Sequence, residues 1–203
     1  MFFHLIVTDD CNLCCSYCRA KMFAEEDPAG GAPVTIDETI AETIEYPFED
    51  LYRFLAQDPD CVLTFIGGEP LLRSDLVMEI MDHAPVRRFM LQTNGTRLAE
   101  LPPTHVNRFE TILLSIDGCR TLTDGHRGDG IYDTVLKTAA LIRERGYTGE
   151  LIARMTVAED TDIYAAVTHL AEHFTSIHWQ MDADFAGDYS HRRFAEWKEA
   201  YND

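Results

Sequence analysis

The sequence predicts an α/β protein built on a parallel sheet. Three observations carry this: six short apolar runs of strand length, helical patterns between them, and polar or glycine-bearing turns where the runs end. Strands that alternate with helices are joined by right-handed crossovers, so the sheet is parallel and the helices pack on its outside. Six units are fewer than a closed (β/α)8 barrel needs.

The elements follow in order. Leu5-Ile6-Val7 is the first strand, and the polar, turn-forming stretch Ala24 to Pro33 is a surface connector. Thr35-Ile36-Asp37-Glu38 has the pattern of a capping box opening a helix, which Pro47 breaks into two pieces. Val62-Leu63-Thr64-Phe65-Ile66 is the second strand, followed by a helix with the stripe Leu72, Leu76 and Ile80. Phe89-Met90-Leu91 and Ile112-Leu113-Leu114 are the third and fourth strands, read as buried on both faces. A helix from Tyr132 to Arg145 stops at Gly146. Leu151 to Val157 is the fifth strand, Thr161 to Phe174 a helix and Ile177 to Met181 the sixth strand. Phe194, Trp197 and Tyr201 stripe a last helix.

In parallel β/α folds the chemistry sits at the C-terminal ends of the strands. Cys11, Gly67, Thr93, Ser115 and Asp182 all fall at or just after such ends.

Composition bounds the function classes. The chain has 203 residues, 46% of them hydrophobic, and no apolar run able to span a bilayer, which predicts a soluble, cytoplasmic domain with its own core. Its 35 acidic residues against 17 basic ones give a formal charge of −18, which repels a phosphate backbone and argues against a nucleic-acid substrate. A local basic patch is still open against this trend, for instance at Arg192-Arg193.

The strongest chemical signal is Cys11, Cys15 and Cys18, spaced C-x3-C-x2-C. Three thiolates on one loop suit a cubane iron-sulfur cluster with one iron left open, because such clusters ordinarily take four cysteines. The same stretch also reads as two C-x2-C pairs, Cys11/Cys14 and Cys15/Cys18, for a zinc site. Zinc fits poorly, since its knuckles normally come from separate parts of a chain. A disulfide framework fits worse in a chain of this size without a secretory segment. Cys61 and Cys119 read as ordinary buried thiols and not as ligands.

These residues carry a family resemblance. Cys11, Cys15 and Cys18, with Tyr17 before the last, resemble the C-x3-C-x-aromatic-C motif of radical S-adenosylmethionine (SAM) enzymes. Gly67-Gly68-Glu69-Pro70 is similar to the family's GGEP, Thr93-Asn94-Gly95 to its TNG, and Ser115-Ile116-Asp117-Gly118 to the SIDG of its peptide-modifying, SPASM-like branch. Four motifs in the family's order, each after an expected strand, make coincidence a poor account. His126-Arg127-Gly128 resembles the turn that follows SIDG, with imperfect spacing.

The resemblance implies a partial (β/α)6 radical SAM barrel, a 4Fe-4S cluster on Cys11, Cys15 and Cys18, and SAM chelated at the open iron. It implies reductive cleavage of SAM to a 5′-deoxyadenosyl radical for hydrogen abstraction. Cys14 is left as a spare thiol. Gly67 and Gly68 would let a ligand approach the backbone or make a tight turn, with Pro70 closing the motif and Glu69 accepting from the SAM ammonium. Thr93, Asn94 and Ser115 offer polar groups to ribose or carboxylate, and Asp117 orients a turn or meets substrate. Arg154 interrupts an apolar strand and needs an anion, either the SAM carboxylate or a protein acid. Asp182 and Asp184 face a substrate cavity or are exposed turn acids.

The leading function is therefore a radical SAM enzyme acting on a peptide, with an electron donor such as flavodoxin or ferredoxin. A glycyl-radical activase or a small-molecule radical SAM enzyme is the alternative, and a zinc or iron-sulfur binding module the non-enzyme rival. No cysteine follows Cys119, and the chain stops at Asp203 just after an apolar stripe. Residues 1–203 thus read as a single catalytic core domain, either minimal or cut before a C-terminal auxiliary domain.

Overall fold

The computed structural model describes residues 1–18 and 43–182. Within them six strands form one sheet in the order β1-β2-β3-β4-β5-β6, every pair parallel. The strands are β1 (Phe2–Ile6), β2 (Val62–Ile66), β3 (Arg88–Thr93), β4 (Phe109–Ser115), β5 (Glu150–Val157) and β6 (Ser176–Met181). The sheet is open, and sequential strands are neighbours throughout. The six expected strands are therefore all present, and they lie side by side as a partial barrel. The expected capping box, the loop from Ala24 to Pro33, Arg192-Arg193, Asp184 and the last amphipathic stripe lie outside the described residues.

In β2 the expected burial on both faces holds, since Val62, Leu63, Thr64 and Phe65 are all buried, whereas β3, β4 and the first part of β5 differ from it. One face is sealed: Leu63, Phe65, Phe89, Leu91, Phe109, Ile112, Leu114, Ala153 and Met155 are all essentially inaccessible. The alternate residues Met90, Gln92, Leu113, Ser115, Ile152 and Arg154 are half-buried. Strand pleating sends alternate side chains to opposite faces, so an apolar run need not mean two dry faces when half-buried Met, Leu and Ile serve the open one.

Six helices are described: α1 (Phe48–Leu55), α2 (Ser74–His83), α3 (Pro103–Val106), α4 (Arg120–Arg127), α5 (Ile131–Glu144) and α6 (Ile163–Leu170). Pro47 is the N-cap of α1, because its fixed φ suits the residue just outside a helix and its ring cannot sit deeper. The helix after β2 buries Val77, Ile80 and Met81, not the expected stripe through Leu72 and Leu76. Leu72 lies in the preceding 3-10 turn Pro70–Arg73, which shifts the phase of the helix that follows. Helix α5 ends where expected, with Gly146 at φ 92°. Helix α6 is shorter than the expected Thr161 to Phe174; Asp162 caps it by accepting from the Ala165 N–H at 2.9 Å.

Among the described residues no helix is long and apolar enough to cross a membrane.

Candidate functional site

The loop after β1 carries the cysteines, and the chain fixes it from three sides. First, pairing with β2 runs on past the strand: Val7 N–H donates to the Ile66 carbonyl at 2.9 Å, Gly68 N–H to Thr8 at 2.8 Å and Glu69 N–H to Asp10 at 2.8 Å. A Cβ on Gly67 would stand 2.3 Å from the Thr8 oxygen, and one on Gly68 2.3 Å from the Asp10 oxygen. Those distances are far inside contact, and Gly67 also sits at φ 146°. The space left by these glycines is thus filled by the backbone of Thr8 to Asp10, so their close approach is to the loop itself.

Second, the turn after β3 holds the start of the cysteine loop. Asn94 Nδ2 donates to Asn12 Oδ1 at 2.9 Å and lies 3.8 Å from Cys11 Sγ, while Asn12 Nδ2 reaches Thr96 Oγ1 at 2.9 Å. Third, helix α4 holds its end. Ser16 N–H donates to the His126 carbonyl at 2.9 Å, Ser16 Oγ pairs with His126 Nδ1 at 2.6 Å, and Asp160 Oδ1 meets the ring's Nε2 at 3.0 Å. The Tyr17 and His126 rings lie 5.2 Å apart.

On this loop Cys11, Cys15 and Cys18 are close enough to act on one another electrostatically. Burial pushes the Cys15 thiol up, the Arg127 guanidinium opposes this, and the charges of Cys18 and Cys11 add to the rise. Burial likewise raises Cys11, against a hydrogen bond from Leu13 N–H and with Glu69 and Cys18 adding to it. Three thiols on one short loop that repel as thiolates are a donor set that a cationic, thiophilic centre would stabilise. Cys14 is exposed. Cys61 is buried as expected, just before β2 and at the opposite end of a parallel sheet from the loop that follows β1, whereas Cys119, also expected to be buried, is exposed as the N-cap of α4.

Behind the loop lie two buried carboxylates. Glu69 is fully buried, and its oxygens accept from Leu71 N–H at 3.0 Å, Thr93 Oγ1 at 2.7 Å and Asn94 N–H at 2.7 Å. It therefore ties the GGEP turn to the TNG turn, and about one of a carboxylate's roughly four acceptor positions is left over. Burial raises its pKa, with the three hydrogen bonds pulling the other way. Pro70 is buried at the first position of the 3-10 turn, where its missing N–H costs nothing.

Asp117, also fully buried, is the hub of the other side. Arg127 grips it with Nε at 2.7 Å and Nη2 at 2.9 Å, Tyr17 donates its hydroxyl at 2.7 Å, and Thr156 N–H donates at 2.9 Å. One carboxylate thus joins β4, α4, β5 and the cysteine loop. The Arg127 guanidinium also lies 5.5 Å over the Tyr17 ring. Burial opposes its charge, yet Asp117 holds its pKa above the ordinary arginine value.

Arg154 stands beside this hub on β5, paired in register with Ser115 of β4. Its Nη2 donates to Gln180 Oε1, but its Nη1 is buried with no hydrogen-bond partner among the described residues. Burial and the neighbouring Arg127 lower its pKa, so its charge is costly where it stands. Such an atom calls for an anionic ligand. Thr93 and Asn94 are buried at the end of β3, Ser115 is half-buried at the end of β4, and Asp182 donates its N–H to Val157 at 2.9 Å just past β6.

Sequence reasoning missed the clamp made by Ser16 and His126 and the bridge from Asn12 to Thr96. Both are long-range polar pairs, and although His126 stands in the turn-like stretch after SIDG, nothing local announces its partner.

A family model described as the radical SAM superfamily matches residues 5–165. The AdoMet-dependent heme synthase of Nitratidesulfovibrio vulgaris is 24% identical over 187 residues, covering 86% of this chain and 46% of that protein. The pre-heme d1 synthase of Dinoroseobacter shibae is 32% identical over 160 residues, covering 77% of this chain and 36% of that protein. The chain thus spans less than half the length of these curated relatives. The solved structure of anSMEcpe with bound AdoMet and Kp18Cys peptide superposes with a TM-score of 0.64 at 19% identity, covering 91% of this chain and 52% of that one. The motifs, the open parallel sheet and a family match over most of the chain agree, and the chain belongs to the radical SAM superfamily of enzymes.

Proposed function

We propose that this chain is the catalytic core of a radical SAM enzyme, with Cys11, Cys15 and Cys18 as ligands of a 4Fe-4S cluster and SAM as co-substrate. The observation that carries the reading is that these three thiols share one short loop pinned by β2, by the turn after β3 and by α4. When bound and reduced, the cluster with SAM supplies a 5′-deoxyadenosyl radical for abstracting hydrogen from carbon. The chain's own part is to bind and orient. The unpartnered Nη1 of Arg154 suits the SAM carboxylate, Ser115 and the Thr93-Asn94 turn flank the same strand ends, and Asp117 and Arg127 hold Tyr17 behind the cysteines.

The ligand assignment is tested by anaerobic reconstitution of single variants. Cys11→Ala, Cys15→Ala and Cys18→Ala should each lose iron, and Cys14→Ala should keep it. Iron retained by Cys15→Ala and lost by Cys14→Ala would reverse the assignment.

A second test addresses SAM. Arg154→Met removes a charge-assisted partner worth about 1.5–3 kcal/mol, so calorimetry on the cluster-loaded chain should find SAM binding weakened about tenfold or more. Unchanged affinity would confine Arg154 to its bond with Gln180.

The substrate we propose is a peptide, on the strength of Ser115-Ile116-Asp117-Gly118 and of the likeness to a structure that contains a peptide. A small-molecule substrate is the second reading, favoured by the two synthases named above. A low-potential donor such as flavodoxin or ferredoxin would supply the electron.

A further inference from the structure

The end of α6 meets the start of α5 through a cluster that the reaction does not use. His169 lies in the last turn of α6, and helical winding continues past it: Glu172 N–H donates to the His169 carbonyl at 3.2 Å and His173 N–H to Leu170 at 3.0 Å. His169, Glu172 and His173 are therefore one turn apart on one face. Their nearest ligand atoms all fall within 4.8 Å of one another.

A fourth group completes the cluster from α5. The Tyr132 hydroxyl lies 2.8 Å from His169 Nε2 and 3.5 Å from His173 Nε2, with the two imidazole rings 5.3 Å apart. Tyr132 is only 7% exposed, and the Arg120 guanidinium, itself paired with Asp133, covers its ring at 5.1 Å. A phenol has one proton to donate, so it satisfies one imidazole acceptor at most. Two imidazole nitrogens, a carboxylate and a phenol oxygen thus converge with fewer protons than lone pairs.

We propose that His169, Glu172, His173 and Tyr132 form a binding site for a divalent transition ion of the zinc class. Two imidazoles and a carboxylate are a borderline-soft, nitrogen-rich set that favours zinc over calcium or magnesium. A tetrahedral ion with ligands at about 2.0–2.2 Å holds its ligand atoms about 3.3–3.6 Å apart, so the Tyr132–His169 pair at 2.8 Å must open slightly and any wider pair within the 4.8 Å group leaves a gap to close. Glu172 and His173 are exposed and can close that gap by side-chain rotation alone, while the buried Tyr132 stays as the fixed wall. The bound ion would pin the C-terminal end of α6 to α5.

The test uses the chain with its iron-sulfur cluster already loaded, so that the cysteines are engaged. Equilibrium dialysis against micromolar zinc chloride, followed by metal analysis, should find one zinc per chain. The double variant His169→Ala/His173→Ala should find none, and Tyr132→Phe should bind about tenfold more weakly. Glu172→Gln, an exposed substitution that leaves the fold alone, should also weaken binding. Zinc should raise the melting temperature of the wild type and not that of the double variant. No zinc uptake by the wild type, or equal uptake by the double variant, would overturn the proposal.

Discussion

Replacing Asp117 by alanine should destabilise the chain by about 3–5 kcal/mol, the usual cost of stripping one partner from a buried ion pair. Arg127 would keep its charge at 7% exposure with no carboxylate to meet it, and the Tyr17 hydroxyl and Thr156 N–H would lose their acceptor. Denaturant unfolding of the metal-free protein measures this directly. The double variant Asp117→Ala/Arg127→Met should recover much of the loss, because removing both charges removes the unpaired one. A loss under about 1 kcal/mol for Asp117→Ala would mean that water reaches the pair.

Glu69→Ala should be comparably severe. Leu71 N–H, Thr93 Oγ1 and Asn94 N–H would be left without their buried acceptor, each at a cost of about 1–3 kcal/mol before relaxation. Glu69→Gln should cost less. A neutral amide escapes the burial penalty that raises the Glu69 pKa, and its oxygen still accepts from one side. Because Asn94 also contacts Cys11 and Asn12, the alanine variant should hold iron less well than its stability alone would suggest. Normal stability and normal iron content in Glu69→Ala would show that the two turns hold together without it.

Much of the fold was legible because it rests on local rules. The run Val62–Ile66 coincides with β2 residue for residue, and Gly146 marks the end of α5 through its positive φ. What was hidden has physical reasons. Helix α4 has the sequence Arg-Thr-Leu-Thr-Asp-Gly-His-Arg, which carries a glycine and no apolar stripe, so it reads as a loop until Asp117 and the cysteine loop dock on it. The odd residue in the fifth strand, Arg154, was readable as needing an anion, and among the described residues its buried Nη1 has no hydrogen-bond partner. Gly67 and Gly68 were read as admitting a ligand or making a tight turn, but the space beside them is taken by the backbone of Thr8 to Asp10, a tertiary contact that no local pattern announces. Glu69 was assigned to SAM from its motif; two of its three internal donors, Thr93 Oγ1 and Asn94 N–H, come from positions distant in sequence and leave no local trace.

The most direct measurement of the central claim is anaerobic reconstitution followed by addition of SAM and a low-potential reductant. Iron and sulfide analysis should approach about four of each per chain, and 5′-deoxyadenosine should form slowly even without substrate, with none from Cys15→Ala. Zinc in place of iron in protein made without oxygen, or a fully loaded cluster that yields no 5′-deoxyadenosine, would contradict it.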